Sequence, residues 1–323
     1  MQKEILEYLG ADWDRVQNLI HGALYSDIGL LSTTNDRLLS HSGKMLRPVL
    51  TLLMAKAVGG NANESSCRYA AATELLHNAT LLHDDVADES LERRGVPTVN
   101  ATLGANAAVL VGDFWLARAV EMVLSSKEQH ENVVPLFSKT LVDLAEGEML
   151  QLEKASSADT DFEDYFKIIY CKTASLFEAA CVSSAASVGA SQACSDAVRR
   201  YARAAGIAFQ IKDDIFDYVG DSGIGKPVGI DLRERKITLP LLCALEGSER
   251  AEEVRALVRT ADVNQANCDE VHKFVIDRGG VDMAIEKLDA YISEAVRSLD
   301  VLPDSQAKAY LIDIAQYIGI RKK

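Results

Sequence analysis

One acidic pattern occurs twice in the chain: two adjacent aspartates, two other residues and a third aspartate. The first copy is DDVAD at residues 84–88, and the second is DDIFD at residues 213–217. Both copies lie in stretches whose apolar spacing predicts helix. Residues four positions apart on a helix share one face at about 6 Å, so Asp84 and Asp88 point the same way, as do Asp213 and Asp217. Like charges repel in this arrangement, and apolar neighbours raise the cost.

A bound cation would remove both penalties. Carboxylate oxygens without His or Cys suit a hard ion, and Mg2+ fills its remaining positions with water and phosphate oxygens. The sequence therefore predicts Mg2+ as a cofactor. The alternative is a solvated helix face on which aspartates cluster by chance. Because the pattern occurs twice in apolar helices, this is the weaker explanation. An EF-hand is excluded, because neither copy has glycine at loop position 6 or glutamate at position 12.

Basic side chains stand near both acidic copies, where a diphosphate group would need them. They are Lys44 and Arg47 at a helix start, Arg93 and Arg94 after the first copy, Lys172 with Thr173 inside a helix, and Lys226 and Lys236 after the second copy. Arginine binds phosphate oxygens in a fork, and lysine acts as a point charge. Each residue alone is an ordinary surface charge, whereas the group beside two acidic motifs indicates a phosphorylated substrate.

The elements that must hold these side chains are predicted to be helices of one all-α domain spanning residues 1–323. Only 6 prolines occur, and hydrophobic residues make up 48% of the chain, which is enough for a large core. The predicted helices include residues 13–32, 68–93 and 161–188. Residues 220–229 contain four glycines and are predicted to form a mobile loop that closes over the diphosphate.

Bulk properties exclude several classes of function. The net charge of -14 argues against nucleic acid as a partner, because phosphate backbones need a basic surface. No stretch approaches the ~18 apolar residues that span a bilayer. The first residues resemble no targeting signal, so the cytoplasm is the expected location. The 6 cysteines form no CxxC pair, which disfavours a zinc site or redox motif.

Three longer strings carry a family resemblance. They are GKMLRP at residues 43–48, LLHDDVAD at 81–88 followed by RRG at 93–95, and FQIKDDIFD at 209–217. In this order they resemble the trans-type polyprenyl diphosphate synthases, most of all the long-chain octaprenyl type. The resemblance implies a single bundle of long, mostly antiparallel helices around a deep central cavity, usually in a homodimer.

The resemblance also implies a role for each matching residue. The main Mg2+ ligands would be Asp84, Asp88 and Asp213, supported by Asp85, Asp214 and Asp217. The allylic diphosphate would be held by Arg93, Lys172, Thr173, Gln210, Lys226 and Lys236. Isopentenyl diphosphate would be held by Lys44, Arg47, His77 and Arg94, with the basic tail at residues 321–323 nearby. Without the resemblance, His77 would be interpreted as a hydrogen-bonded core residue.

Together these roles describe a Mg2+-dependent prenyltransferase. It would join isopentenyl diphosphate, head to tail, to an allylic diphosphate such as farnesyl or geranylgeranyl diphosphate. Metal ions and basic side chains would neutralise the leaving diphosphate. By the resemblance, the departing diphosphate itself takes the final proton.

Product length is predicted from the helix that carries Asp84. At a rise of ~1.5 Å per residue, Thr80 and Ala79 lie about 6 and 7.5 Å from Asp84 toward the helix N-terminus. Family members with short products commonly have Phe or Tyr at this depth. Two small residues leave the wall open, which predicts a hexaprenyl to decaprenyl product with octaprenyl favoured. The same residues could instead serve only close helix packing.

Three alternatives stay open: a short-chain synthase, a class I terpene cyclase and a non-catalytic subunit of a heteromeric synthase. The short-chain enzyme would stop at farnesyl or geranylgeranyl length. A cyclase generally mixes Asn, Ser or Thr with Glu in its second metal motif and needs no isopentenyl site. A non-catalytic subunit typically lacks one acidic motif, and both motifs are present here.

Overall fold

The computed structural model describes residues 1–126, 132–219 and 229–321, and most of these residues are helical. The all-α prediction is confirmed. The only sheet in these ranges is a two-stranded antiparallel ladder of β1 (Glu92–Arg93) and β2 (Val96–Pro97). No helix in the described part of the chain is long and apolar enough to cross a membrane.

The helices follow one another with short connections. Up to residue 126 they are α1 (Gln2–Leu9), α2 (Ala11–Ala23), α3 (Gly29–Ser40), α4 (Leu46–Gly59), α5 (Glu64–Ala87), α6 (Val99–Leu103) and α7 (Ala105–Leu124). After it come α8 (Val133–Ser157), α9 (Phe162–Ile169), a π-helical turn (Tyr170–Ala174), α10 (Ser175–Ser187), α11 (Gln192–Val219), α12 (Ile230–Arg233), α13 (Leu239–Leu245), α14 (Ala251–Val258), α15 (Gln265–Asp277), α16 (Gly280–Ser298), a 3-10 turn (Leu299–Val301) and α17 (Gln306–Ile320).

Contacts divide the chain into two compact units. The first comprises Met1–Phe137, Ala179–Asp196 and Leu302–Leu311, and it contains the acidic motif at residues 84–88. The second comprises Ser138–Glu178, Ala197–Val301 and Ile312–Lys323, and it contains the motif at residues 213–217. The single domain over residues 1–323 stays a prediction.

In the first unit, α5 packs against α2, α4 and α7. Residues 69–76 of α5 are buried on every side, as expected for a helix without a polar face. The helix begins at Glu64 because Asn63 and Ser66 form a capping box, in which the Asn63 side chain accepts the Ser66 N–H at 2.8 Å. A rigid, buried α5 therefore carries the first acidic motif at its C-terminal end.

A buried polar network also orders the first unit. The Trp115 indole N–H donates to Asn35 Oδ1 at 2.8 Å, and Asn35 Nδ2 donates to the Leu24 carbonyl at 2.9 Å. These bonds tie α7 and α3 to the end of α2. They also explain an error in the sequence analysis: the helix predicted over residues 13–32 is two helices, because Asn35 holds the Leu24 carbonyl where the chain leaves α2.

The helix predicted over residues 68–93 is also wrong, since α5 ends at Ala87. Glu89 adopts a left-handed φ of 50°, and the Ser90 N–H donates to the Asp85 carbonyl at 3.0 Å, which closes the helix end. A hairpin follows, with Arg94 and Gly95 at φ 54° and 79°. Two consecutive positive φ values make a type I′ turn, whose twist suits a β-hairpin.

In the second unit, α11 lies against the π-helical turn. A Cβ on Gly206 would stand 2.6 Å from the Ala174 Cα, so only glycine permits this approach. The π-helical turn interrupts the single helix predicted over residues 161–188. Such turns are rare and are frequently found at functional sites.

Replacing Gly206 by alanine should disturb this contact. We expect Gly206→Ala to lower the free energy of unfolding by about 1–3 kcal/mol, because the backbone of Ala174 cannot move aside cheaply. Gly22→Ala in α2 is the control, since nothing lies within 4 Å of its Cβ position, and it should be neutral or stabilising by up to about 1 kcal/mol. Urea unfolding measures both. Equal stabilities of the two variants would contradict the close packing.

Candidate active site

The first acidic motif occupies the last turn of α5. The Asp88 N–H donates to the Asp84 carbonyl at 2.8 Å, so helical geometry continues through the motif. Asp84 and Asp88 therefore share one helix face, as predicted. Asp84 is half-buried and Asp88 is exposed. This face offers two carboxylates to one ion.

The middle aspartate has a different environment. Asp85 is buried, and Arg93 Nε donates to its Oδ1 at 2.7 Å. Burial raises the pKa of the Asp85 carboxyl, while the hydrogen bond and charge of Arg93 oppose that rise. Arg93 stands on β1 of the hairpin and not on a helix. Arg93, which was predicted to bind the diphosphate, and Asp85, which was predicted to support the metal, thus form one ion pair.

Arg94 reaches the loop that precedes α4. Its guanidinium Cζ lies 2.7 Å from the position that a Cβ on Gly43 would occupy. Its Nη1 contacts the His41 carbonyl at 3.4 Å. The glycine of the 43–48 string therefore has a physical reason: a side chain there would displace Arg94. Lys44 is exposed in the same loop.

A cationic cluster surrounds His77 in the first unit. Burial lowers the pKa of His77 well below its usual value, and the charges of Arg47 and Arg94 lower it further. Arg47 and Arg94 also act on Glu74, whose burial raises the pKa of its carboxyl. The structure thus brings together Arg47, His77 and Arg94, three of the four residues expected to hold isopentenyl diphosphate. These effects favour the neutral form of the His77 imidazole.

Glu74 belongs to this cluster, and the sequence analysis missed it. It is 4% exposed, and Asn78 Nδ2 donates to its Oε1 at 3.0 Å. Its second oxygen, Oε2, is buried without a hydrogen-bond partner. An acidic residue three positions before His77 on a predicted helix was the available signal.

The three aspartates of the second motif have three different partners. Asp213 Oδ1 accepts from Arg321 at 2.8 Å. The Arg321 guanidinium also lies 4.0 Å from the centre of the Phe209 ring, a cation–π contact. The predicted basic tail therefore contacts the second acidic motif through Arg321, while residues 322 and 323 lie outside the described part of the chain.

Asp214 and Asp217 are both buried. Asp214 accepts from Tyr165 Oη at 2.6 Å and from Gln210 Nε2 at 2.9 Å. Burial raises the pKa of Asp214 well above its usual value, and these two hydrogen bonds oppose the rise. Asp217 accepts the backbone N–H groups of Ile230 and Asp231 at 3.0 Å each, which caps the short α12. Its carboxylate thus anchors the chain where α12 begins.

A cavity of about 200 Å³ in the second unit collects several predicted residues. Lys172, Gln210, Asp214 and Lys236 all line it. Thr173 lies beside it and donates to Gln210 Oε1 at 2.8 Å. Lys172 and Thr173 stand on the π-helical turn. Four of the six residues predicted to hold the allylic diphosphate therefore meet at one place in this unit. Of the other two, Arg93 belongs to the first unit and Lys226 lies outside the described residues. Residues 220–228 of the predicted loop lie outside them as well.

The lysines of this cavity have acidic partners that the sequence analysis did not identify. Lys172 Nζ lies 2.5 Å from Glu148 Oε2, and Lys236 pairs with Glu234. Tyr165, on α9, was missed as well. Glu148 and Tyr165 contact the site from other helices, and no spacing in the sequence connects them to the acidic motif.

The acidic residues fit a divalent cation in pairs. In the ranges that the structure describes, no group of three or more His, Cys, Asp or Glu side chains is arranged to hold a metal ion. Mg2+ needs only one or two carboxylates when water and substrate phosphates supply its other ligands. Asp84 with Asp88, and Asp213, are all at least partly accessible and supply only oxygen. Asp85 and Asp217 are already committed to protein partners, and Asp213 shares its Oδ1 with Arg321.

The predicted chain-length positions lie one turn before the first motif. Ala79 is buried, and the Thr80 hydroxyl donates to the His77 carbonyl at 2.8 Å. Neither position carries a large side chain. The Thr80 hydroxyl has its hydrogen-bond partner within its own helix, so this side chain leaves no polar group unpaired.

Comparison with known proteins identifies the family of this chain. Residues 29–275 match the Polyprenyl synthetase family. The chain is 38% identical to the octaprenyl diphosphate synthase of Escherichia coli, over 99% of this chain and 98% of that protein. It is 35% identical to the all-trans-nonaprenyl-diphosphate synthase (geranyl-diphosphate specific) of Rhodobacter capsulatus, over 98% of this chain and 96% of that protein.

Solved structures give the same result for the fold. A decaprenyl diphosphate synthase from Rhodobacter capsulatus matches with a TM-score of 0.92 and 33% identity, covering 99% of both chains. A geranylgeranyl pyrophosphate synthetase from Pyrococcus horikoshii matches with a TM-score of 0.89 and 29% identity, covering 99% of both chains. The fold is therefore the isoprenoid synthase fold of these enzymes, and the chain belongs to the polyprenyl synthetase family.

Proposed function

We propose that this protein is a Mg2+-dependent prenyltransferase that condenses isopentenyl diphosphate with an allylic diphosphate, head to tail. The product is a long-chain all-trans polyprenyl diphosphate, hexaprenyl to decaprenyl, with octaprenyl favoured. Members of the family are prenyltransferases that generally use divalent metal ions. The allylic primer is farnesyl or geranylgeranyl diphosphate. We also propose that residues 1–323 form a single polyprenyl synthase domain.

The cavity of the second unit carries this proposal. Two lysines and a glutamine amide, from Lys172, Lys236 and Gln210, converge there on an acidic motif. Cations beside carboxylates suit a diphosphate accompanied by a metal ion, because each partner finds its opposite charge. A purely apolar ligand would use neither half of this arrangement, and a nucleic acid would use the lysines but not the carboxylates.

Each group of residues has one task in the reaction. Asp84, Asp88 and Asp213 would hold Mg2+, which when bound would supply Lewis-acid neutralisation of the leaving diphosphate. Lys172, Lys226, Lys236 and Arg93 stabilise the negative charge that develops as the allylic C–O bond breaks, with Thr173 and Gln210 as neutral partners.

The second substrate has its own group of residues. Isopentenyl diphosphate is oriented by Lys44, Arg47, Arg94 and the neutral His77. Its double bond is therefore already positioned to attack the allylic cation. The departing diphosphate accepts the proton released when the new double bond forms.

The proposal of a long product rests on α5 of this chain and on the relatives of the chain. Ala79 and Thr80 place no bulky side chain one turn before the metal ligands, and the octaprenyl and nonaprenyl synthases cited above are similar over nearly the full chain. A geranylgeranyl pyrophosphate synthase of Geoglobus acetivorans is also 34% identical over 87% of this chain. A short-chain product is therefore the alternative that product analysis must decide.

We further propose a homodimer. The α7 helix exposes large apolar side chains at helical spacing: Leu110 is 68% exposed, Val120 41% and Leu124 49%. Apolar stripes of this kind mark protein–protein contacts, and a second copy of the chain is the occupant we propose. A cytoplasmic location stays a prediction from the sequence.

Incubation of the lone chain with Mg2+, farnesyl diphosphate and isopentenyl diphosphate tests the function. We expect polyprenyl products, with octaprenol dominant after dephosphorylation and chromatography. A terpene cyclase would release hydrocarbon from the allylic substrate alone. A non-catalytic subunit would produce nothing, and either result would refute the proposal.

Loss of a metal-holding carboxylate should stop turnover and leave the fold intact. We expect Asp84→Ala, Asp88→Ala and Asp213→Ala each to reduce kcat at least ~100-fold. The thermal midpoint should not fall in Asp84→Ala and Asp88→Ala, because removing one of two like charges relieves repulsion. It should fall in Asp213→Ala, because that change leaves Arg321 without its ion-pair partner. Steady-state kinetics and thermal melts measure this. A variant with near-normal activity would remove that residue from the metal site.

The two adjacent arginines should affect different substrates. Arg94→Ala should raise the KM for isopentenyl diphosphate roughly tenfold or more, because a charged hydrogen bond is lost. Arg93→Ala should act mainly on the allylic substrate. It should also destabilise the protein by about 1–3 kcal/mol, because Asp85 is left buried without its partner. Equal effects of both variants on both substrates would refute this division.

A bulky side chain at position 79 should shorten the product. We expect Ala79→Tyr to shift the products to farnesyl or geranylgeranyl length by blocking the wall of α5. Ala79→Ser is the control, since it adds a hydroxyl without bulk, and its product should match that of the wild type. Chromatography of dephosphorylated products decides. Unchanged long products from Ala79→Tyr would place the growing chain elsewhere.

A further inference from the structure

Tyr165 is a buried residue outside every motif of the sequence. It stands on α9, is 3% exposed, and lines the cavity of the second unit. Its hydroxyl donates to Asp214 Oδ2 at 2.6 Å, a short bond to a carboxylate that is itself 4% exposed. Hydrogen bonds to a carboxylate are shorter and stronger than neutral ones.

The contact with Asp214 continues into a chain of hydrogen bonds. Gln210 Nε2 donates to Asp214 Oδ1 at 2.9 Å, and the Thr173 hydroxyl donates to Gln210 Oε1 at 2.8 Å. The chain links α9, α11 and the π-helical turn within one unit. Asp214 Oδ2 accepts from the Tyr165 hydroxyl, and Asp214 Oδ1 accepts from the Gln210 amide.

This chain fixes which way the Gln210 amide faces. Gln210 turns its NH2 toward Asp214 and its oxygen toward Thr173, because Asp214 Oδ1 accepts from Gln210 Nε2 and the Thr173 hydroxyl donates to Gln210 Oε1. One N–H of that NH2 is used by Asp214, and the second is left for another acceptor. Gln210 lines the cavity together with Lys172 and Lys236. An N–H directed there would add a donor for phosphate oxygen.

We propose that Tyr165 is a positioning residue for the allylic diphosphate: by holding Asp214, it fixes the orientation of the Gln210 amide and the Thr173 hydroxyl beside the cavity. Asp214 is then the hub of this network. The inference rests on the proposed function, because that function makes the cavity the allylic diphosphate site.

Tyr165→Phe removes the hydroxyl and keeps the ring. We expect the KM for the allylic diphosphate to rise roughly tenfold, as for loss of one hydrogen bond to a charged group. The KM for isopentenyl diphosphate should stay within about twofold of the wild-type value. Binding of inorganic pyrophosphate with Mg2+, measured by calorimetry, should weaken by a similar factor without any turnover.

Tyr170→Phe is the matched control. Tyr170 also donates to a carboxylate in the same unit, Glu178 Oε2 at 3.1 Å, but that carboxylate is not part of the cavity. The control should leave both KM values and pyrophosphate binding unchanged. If Tyr165→Phe does not fold, Asp214→Asn tests the same network, because its amide cannot accept from both donors.

Three results would overturn the assignment. They are unchanged values in Tyr165→Phe, an equal rise of both KM values, and an equal effect of Tyr170→Phe. If the wild-type protein makes no prenyl product, the proposed function fails, whereas pyrophosphate binding still tests the role of Tyr165 by itself.

Discussion

The neutralisation of closely spaced carboxylates is the constraint on which the rest of this structure depends. Two acidic motifs place like charges on helices that are partly buried, a costly arrangement where the dielectric is low. The protein compensates locally. Arg93 pairs with Asp85, and Arg321 pairs with Asp213. The Asp217 carboxylate accepts two backbone N–H groups at the start of α12. Breaking one such buried pair is destabilising because it leaves the other charge uncompensated.

The same pairing prepares the site for a ligand that carries both signs. Lys172 rests against Glu148 and Lys236 against Glu234, so each cation has a carboxylate in contact. On the proposed function, phosphate oxygens would replace these two glutamates as partners of the lysines, while Asp84, Asp88 and Asp213 would hold the Mg2+ that accompanies the diphosphate. Local charge changes little in this exchange, which favours binding of the two together over either alone.

The sequence allowed prediction of the chemistry that depends on local spacing. The shared face of Asp84 and Asp88 follows from a separation of four residues on a helix, and the structure keeps the helical hydrogen bond from the Asp88 N–H to the Asp84 carbonyl. The gathering of Lys172, Gln210 and Lys236 in one cavity followed from the family resemblance. Spacing alone does not bring these residues together.

Features that depend on tertiary contact were not predicted. The end of α5 is set by a left-handed Glu89 and a hairpin turn at Arg94-Gly95, which helix propensity does not indicate. The break after α2 depends on Asn35, eleven positions further along the chain. Tyr165 and Glu148 reach the site from helices whose own patterns show only amphipathicity.

Calorimetric titration of inorganic pyrophosphate into the wild-type protein, with and without Mg2+, tests the central claim most directly. The account predicts binding that is strong with Mg2+ and weaker by at least ~100-fold in chelator, because the acidic motifs repel an unaccompanied diphosphate. Pyrophosphate that binds equally well in both conditions would show that the carboxylates take no part, and it would contradict the account.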